Sequence, residues 1–306
     1  MASIIDLVGN TPLVEIKKLN PNPNVKMYAK LEGDNPGGSV KDRPALNMIR
    51  SALERGDIKP GTKLIEATSG NTGIALAMIA RLFDLEIELV MPSTSTRERT
   101  LTMEAFGAKV TLLDSIEICR DYAEEKAAKG EAYILNQFAN PDNYAAHYKT
   151  TGPEIWRDTN QSITHFVSSM GTTGTIMGCS RFLKEKNSAI QIIGCQPTEE
   201  SSIPGIRRWP KEYLPKIFEP ERVDRIMDVS QEEATIMARK LAKEEAIFAG
   251  MSSGGAASAA IRLAKEIESG VIVFIVCDRG DRYLSSELFA TSPSREEFKS
   301  SIPANH

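Results

Sequence analysis

A chain of 306 residues with 41% hydrophobic content is long enough to bury a large core and exceeds the size at which chains commonly split into two lobes. A formal charge of −4 without any basic run argues against nucleic acid or an anionic membrane as partner, and no stretch approaches the roughly 18 apolar residues a membrane-spanning helix needs. The opening MASIIDLVGNTPLVEI lacks the basic flank and long apolar core of a secretion signal, so a cytoplasmic protein acting on small molecules is expected.

In chain order, short apolar runs give way to small-residue loops and then to helical patterns, the signature of βαβ units around parallel sheets. The strands expected are VKMYAKLEG, TKLIEA, EIELVMP, AKVTLLD, THFVSSM, IQIIGCQP and VIVFIVC. IALAMIARLF, Ile74 to Phe83, is apolar almost all round and predicts a buried helix, whereas QEEATIMARKLAKEEA alternates charged and apolar positions and predicts a surface one. Thr198 to Val223 breaks the rhythm with four prolines and little periodicity, as functional lids often do. The Asn/Pro cluster NPDNY near Asn140 is the expected crossing point between lobes. The four cysteines are scattered without CxxC pairing and only three histidines occur, so neither disulfides nor a metal site is expected.

Three expected strand-to-helix junctions share one chemistry: ATSGNTG at Ala67 to Gly73, MGTTGT at Met170 to Thr175 and GMSSGG at Gly250 to Gly255. Helix starts expose unpaired N–H groups and a positive dipole end, glycines admit an anion close to the backbone, and hydroxyls add donors. Glycine in a tight βα loop often serves packing alone, so each turn by itself carries little and the three together carry more. None fits GxxxxGK[ST] or GxGxxG, which argues against nucleoside triphosphates and dinucleotides. Lys41, in NPGGSVKDR, follows a glycine pair and opens a helix. As a solvated charge it would be ordinary; desolvated beside positive dipole ends, its amine would be nucleophilic and suited to a Schiff base.

GNTPLVEI, KLEGDNPGGSVKDR, EATSGNTGIALA, NQFANPDN, TTGPEIW, SSMGTTGT, GMSSGGAASAA and CDRGDRYLSSELF resemble, in order and over nearly the whole chain, the motifs of the cysteine synthases, pyridoxal-phosphate enzymes of the tryptophan-synthase-β fold. The resemblance implies a two-domain α/β protein of fold type II with two mostly parallel twisted sheets flanked by helices. It implies a smaller mobile domain over 35–145 and a larger one made of 1–34 plus 146–306, with the active site between them, and a homodimer.

By the same resemblance Lys41 carries the cofactor as a Schiff base, Gly37 and Gly38 turn the chain beneath it, and Asn71 meets its 3'-oxygen. Gly171, Thr172, Gly174 and Thr175 cradle the phosphate, and Ser252 faces the pyridine nitrogen. Thr68, Ser69, Gly70, Asn71 and Thr72 grip the substrate α-carboxylate, with Gln137 as a second contact. The reaction implied is β-replacement on O-acetyl-L-serine by sulfide through an α-aminoacrylate, with Lys41 as anchor and general acid/base.

SSIPGIRRWPKEYLP and CDRGDRYLS resemble the branch of the family that also uses thiosulfate. Arg207 and Arg208, beside Trp209, would suit such a divalent oxyanion; the alternative is a solvated loop pair. Cys277 and Asp278 either shape the sulfur-donor pocket or, for Cys277, simply end a buried strand. Competing readings are an O-phosphoserine-dependent cysteine synthase, a cystathionine β-synthase-like enzyme, and, from a different class, a catalytically idle binding partner, against which the presence of Lys41 speaks.

Overall fold

The computed structural model describes residues 2–68 and 70–290. β1 (Leu13–Glu15) and β2 (Val25–Leu31) pair antiparallel, with Leu13 opposite Lys30. Next come α1 (Asp42–Arg55), β3 (Lys63–Ala67), α2 (Asn71–Leu82), β4 (Glu86–Pro92), α3 (Arg97–Ala105), β5 (Lys109–Leu113), α4 (Ile116–Ala128) and β6 (Tyr133–Ile134). They are followed by α5 (Pro141–Lys149), α6 (Thr151–Asp158), β7 (His165–Ser169), α7 (Gly174–Lys186) and β8 (Gln191–Pro197). After a long irregular stretch come β9 (Arg225–Val229), α8 (Gln231–Glu245), α9 (Met251–Glu266) and β10 (Gly270–Val276).

Two sheets result. The smaller has four parallel strands in the order β5-β4-β3-β6, and the larger has six in the order β1-β2-β10-β7-β8-β9, parallel apart from β1. Each carries an apolar core on both faces. This is the expected α/β architecture, and the reason for GVIVFIV in β10 is visible in it: a strand lying between β2 and β7 with helices on either side has no wet face to fill with polar residues. α2 is buried without interruption from Thr72 to Ala80. α8 buries only the stripe Ala234, Ala238 and Leu241, and opens with a capping box between Ser230 and Glu233.

The seven apolar runs each contain a strand. β1, β6 and β9 were not among them: β1 has three residues, β6 has two, and in β9 only Met227 and Val229 are buried. The NPDNY cluster is a helix start, with the Asn140 side chain accepting from Asp142 N at 2.9 Å to cap α5.

One buried ion network ties the larger sheet to the start of α1. Arg43 bonds Glu32 at 2.7 Å and Glu154 of α6 at 2.6 Å, while Lys30 of β2, with no exposed surface, reaches Glu154 at 2.8 Å. Removing one member would strand an uncompensated buried charge, a loss of about 3–5 kcal/mol. The network fixes the chain two residues beyond Lys41.

Candidate active site

The C-terminal ends of β3, β7 and β10 deliver their turns to one cleft of about 760 Å³, its open mouth included. The segment leading to Lys41 is stitched to the end of β10: Ser39 pairs antiparallel with Asp278, and Val40 N donates to Cys277 O at 2.8 Å. Lys41 then starts α1, whose buried residues pack in the core of the smaller sheet. The lysine thus stands where the two sheets' helices and loops meet. It is part-exposed and lines the cleft, and removal from bulk water pulls its pKa below the ordinary lysine value, against an opposing pull from the Asp278 carboxylate.

The turn into α7 has the makings of an anion cradle. Thr173 adopts φ 72°, unusual for a β-branched residue, and its buried hydroxyl has no partner among the described residues. The first N–H groups of α7 have no carbonyl partner within the helix; that of Gly174 donates to the Thr172 hydroxyl at 3.3 Å. Thr172 and Thr175 line the cleft, with the Thr172 hydroxyl 3.1 Å from Asn143 Nδ2. A Cβ on Gly174 would run into the Asn143 side chain, so only glycine lets α5 approach this closely. Gly171 also lines the cleft, and its carbonyl accepts from Trp209 Nε1 at 2.7 Å.

The turn into α2 is organised by side chains. Thr68 is buried and its hydroxyl accepts from Gly70 N at 3.0 Å and Gly73 N at 3.1 Å, which caps the helix rather than facing the cleft. Gly70 has φ 139°, a conformation L side chains rarely adopt, and a Cβ there would strike Arg99. Ser69 lies outside the described residues. Asn71 and Thr72 line the cleft. Asn71 donates to Asp278 at 2.7 Å and accepts from Arg282 at 2.7 Å, and the Thr72 hydroxyl donates to Gln137 Oε1 at 2.8 Å. Gln137, also at the cleft, is held in turn by Glu66, whose carboxylate accepts from the backbone N–H groups of Asn136 at 2.8 Å and Gln137 at 2.9 Å. Full burial pushes the Glu66 carboxyl up to about 7.

The third turn, GMSSGG, is not a strand-to-helix junction as expected but joins α8 to α9; Ser252 is buried there at the start of α9 and lines the cleft beside Cys277, whose thiol is pushed up to about 12 by burial and is therefore neutral. The irregular stretch 198–223 crosses this wall: Arg207 N donates to Met170 O at 2.9 Å, and Gly205, Arg207 and Trp209 join the lining. The two arginines of RRW part company here. Arg207 lines the cleft and donates only to backbone carbonyls, while Arg208 turns away to Asp228 at 2.6 Å and Pro197 O at 2.9 Å.

Lys41, Asn71, Thr72, Gln137, Gly171, Thr172, Thr175, Arg207 and Ser252 are therefore gathered in one place, whereas Thr68, Gly70, Gly174 and Arg208 are not on its wall. Sequence reasoning passed over Arg99, Thr173 and Arg282. The second threonine of GTTGT was the available signal for Thr173; Arg99 and Arg282 sit in charged runs whose members look alike.

A cofactor joining an aldehyde to a phosphate needs a deprotonatable amine and, some way off, a cradle for a dianion. The turn into α7, where Gly171, Thr172 and Thr175 line the same cleft as desolvated Lys41 and the neighbouring buried Thr173 hydroxyl has no partner among the described residues, fits pyridoxal phosphate. A family model described as pyridoxal-phosphate dependent enzyme matches residues 4–278, and the chain belongs to that family. Cysteine synthase B of Pseudomonas aeruginosa is 58% identical to this chain over 290 residues, covering 94% of this chain and 97% of that protein. Among solved structures, O-ureido-L-serine synthase matches with a TM-score of 0.90 at 33% identity, covering 98% of this chain and 99% of that one. O-acetyl serine sulfhydrylase isoform 3 from Entamoeba histolytica matches with a TM-score of 0.87 at 37% identity, covering 96% and 93%.

Proposed function

We propose that this chain is a cysteine synthase that replaces the acetoxy group of O-acetyl-L-serine with sulfide, giving L-cysteine and acetate, and that it takes thiosulfate as a second sulfur donor to give S-sulfocysteine. The observation that carries the reading is Lys41, a desolvated amine at a helix start, in a cleft whose described lining residues include no carboxylate. When bound, pyridoxal phosphate supplies an electron sink that makes the α-proton of an amino acid acidic and lets its β-substituent depart.

In this reading Lys41 would hold the cofactor through Nζ, and its amine would also serve as the base for the substrate α-proton; a lowered pKa keeps more of that amine in the basic form near neutrality. Gly171, Thr172, Thr173, Gly174 and Thr175 hold the phosphate. Ser252 offers the ring nitrogen a neutral hydroxyl, which enforces no proton there and suits elimination. Thr68 shapes the carboxylate turn that Ser69, Gly70, Asn71 and Thr72 present, and Gln137 closes it. Arg207 faces the sulfur donor. Residues 35–145 move as the smaller domain against 1–34 plus 146–306, a division supported by β3 to β6 forming a sheet of their own. The enzyme works as a cytoplasmic homodimer, which light scattering and fractionation check.

Adding O-acetylserine to holoenzyme without a sulfur donor should change its visible spectrum, and sulfide should restore it with release of cysteine. A change with O-phosphoserine alone would reassign the leaving group, and no change with either would overturn the reading.

A further inference from the structure

Arg99, on α3 beside the smaller sheet, is only 5% exposed, and its Nε is a buried donor with no partner among the described residues. The side chain lies over the Tyr283 ring, 4.9 Å from its centroid, packs against Gly70, and lines the same cleft as Arg207. Arg207, carried by the loop from the larger sheet, donates through Nη1 alone, to the carbonyls of Ile203 and Ile206, and has no ion-pair partner among the described residues. Burial above all disfavours the charge on Arg207; Glu117 of α4, which makes no ion pair with it, partly offsets this, and the charge on Arg99 adds to it. Buried cations without counter-ions are costly and persist where something answers them. Nothing on the described wall does, since no Asp or Glu lines it.

We propose that Arg99 and Arg207 form a binding site for a divalent oxyanion, with Arg99 the second guanidinium that a thiosulfate-sized donor meets. The site has one arm from each sheet's territory, so an anion between the arms relieves their repulsion and draws loop 198–223 and α3 together. Two planar forks present several N–H donors to the oxygens of such an anion and leave a terminal sulfur free to point elsewhere. Sulfide has no oxygens to offer and gains little. Arg208, neutralised by Asp228, takes no part. The inference rests on the proposed cysteine synthase reading for the identity of the donor, though not for the existence of the anion site.

The test uses holoenzyme, so that the phosphate cradle is filled, with Arg99→Gln and Arg99→Lys. In Arg99→Gln the ratio of kcat/KM for thiosulfate to that for sulfide should fall at least tenfold, and Arg99→Lys should recover part of it by restoring the charge without the fork. Inorganic sulfate is the second probe. At saturating O-acetylserine it should compete with thiosulfate, and its binding, followed by the fluorescence of Trp209 in the cleft wall, should weaken at least tenfold in Arg99→Gln. An unchanged ratio, or sulfate competing with O-acetylserine alone, would overturn the proposal in favour of a carboxylate role for Arg99. If the parent enzyme turns over sulfide but not thiosulfate, the donor assignment falls and sulfate binding decides the site: loss in Arg99→Gln upholds it, and no change removes it.

Discussion

The turns into α7 and α2 are assembled from the same parts, a strand end, glycines, hydroxyls and a helix start, and are held in place differently. The α7 turn is fixed at its backbone: Thr173 is in a left-handed conformation, Gly174 is pressed on the Asn143 side chain, and the Gly171 carbonyl is bonded to the Trp209 side chain. The α2 turn is held by side chains reaching over from the end of β10 and the residues after it, Asp278 and Arg282 on Asn71, and by the Thr72–Gln137 bond. A cradle whose backbone is pinned in place suits a group that stays. One whose partners come from the other sheet changes shape when the sheets shift, which suits a group that arrives and leaves.

The largest effect tests what both turns serve. Lys41→Ala should lower turnover by at least about 100-fold, the lower end of what a positioned acid/base contributes, and the protein should lack the visible band of a lysine-bound cofactor. Retained cysteine synthesis would dissolve the comparison. Gly174→Ala places a methyl on Asn143 and should weaken cofactor binding more than tenfold, with about 1–3 kcal/mol lost from urea-measured stability through overpacking. Full cofactor retention would mean that the α7 turn yields after all.

Arg282→Gln should do the opposite. It removes the bonds to Asn71 and to the Gly37 carbonyl, so the KM for O-acetylserine should rise roughly five- to tenfold, the net contribution of about one ordinary hydrogen bond, while cofactor content stays the same. Loss of cofactor instead would show the α2 turn to be as permanent as its counterpart.

The smallest effect is in pH. Glu66, with a carboxyl pKa of about 7, loses its charge as pH falls from 8 to 6 and grips the Asn136 and Gln137 N–H groups less firmly, so the KM for O-acetylserine should rise severalfold across that range. Because the folded pKa is raised above the unfolded value near 4.5, the folded state keeps the extra proton between them, and Glu66's contribution to stability falls as pH rises through that window. Glu66→Gln should flatten both profiles; an unaltered KM profile would detach Glu66 from substrate binding.

The architecture was legible because it is written in periodicity and in runs such as VIVFIVC, and the site because its turns are local: glycine, hydroxyl and helix start are neighbours in the chain. What escaped detection is non-local. Arg207 and Arg208 read as a pair, yet only Arg207 reaches the cleft while Arg208 turns to Asp228, a parting that neighbours in sequence do not announce. Arg99 has no mark in TRERT that sets it apart from Arg97; its significance lies in a missing partner, which exists only in three dimensions. β6 was invisible because two residues carry no alternation, and β9 because Arg225 and Ile226 are both exposed.

The stitch between Ser39, Val40 and the end of β10 bears on how the molecule is made. The reactive amine is near the start of the chain, but the strand that seats it and the residues that hold Asn71 are synthesised more than 200 positions later. On the ribosome, residue 41 is an ordinary lysine until β10 slots in beside β2. The desolvation that sharpens the amine therefore belongs only to a chain that has almost finished folding.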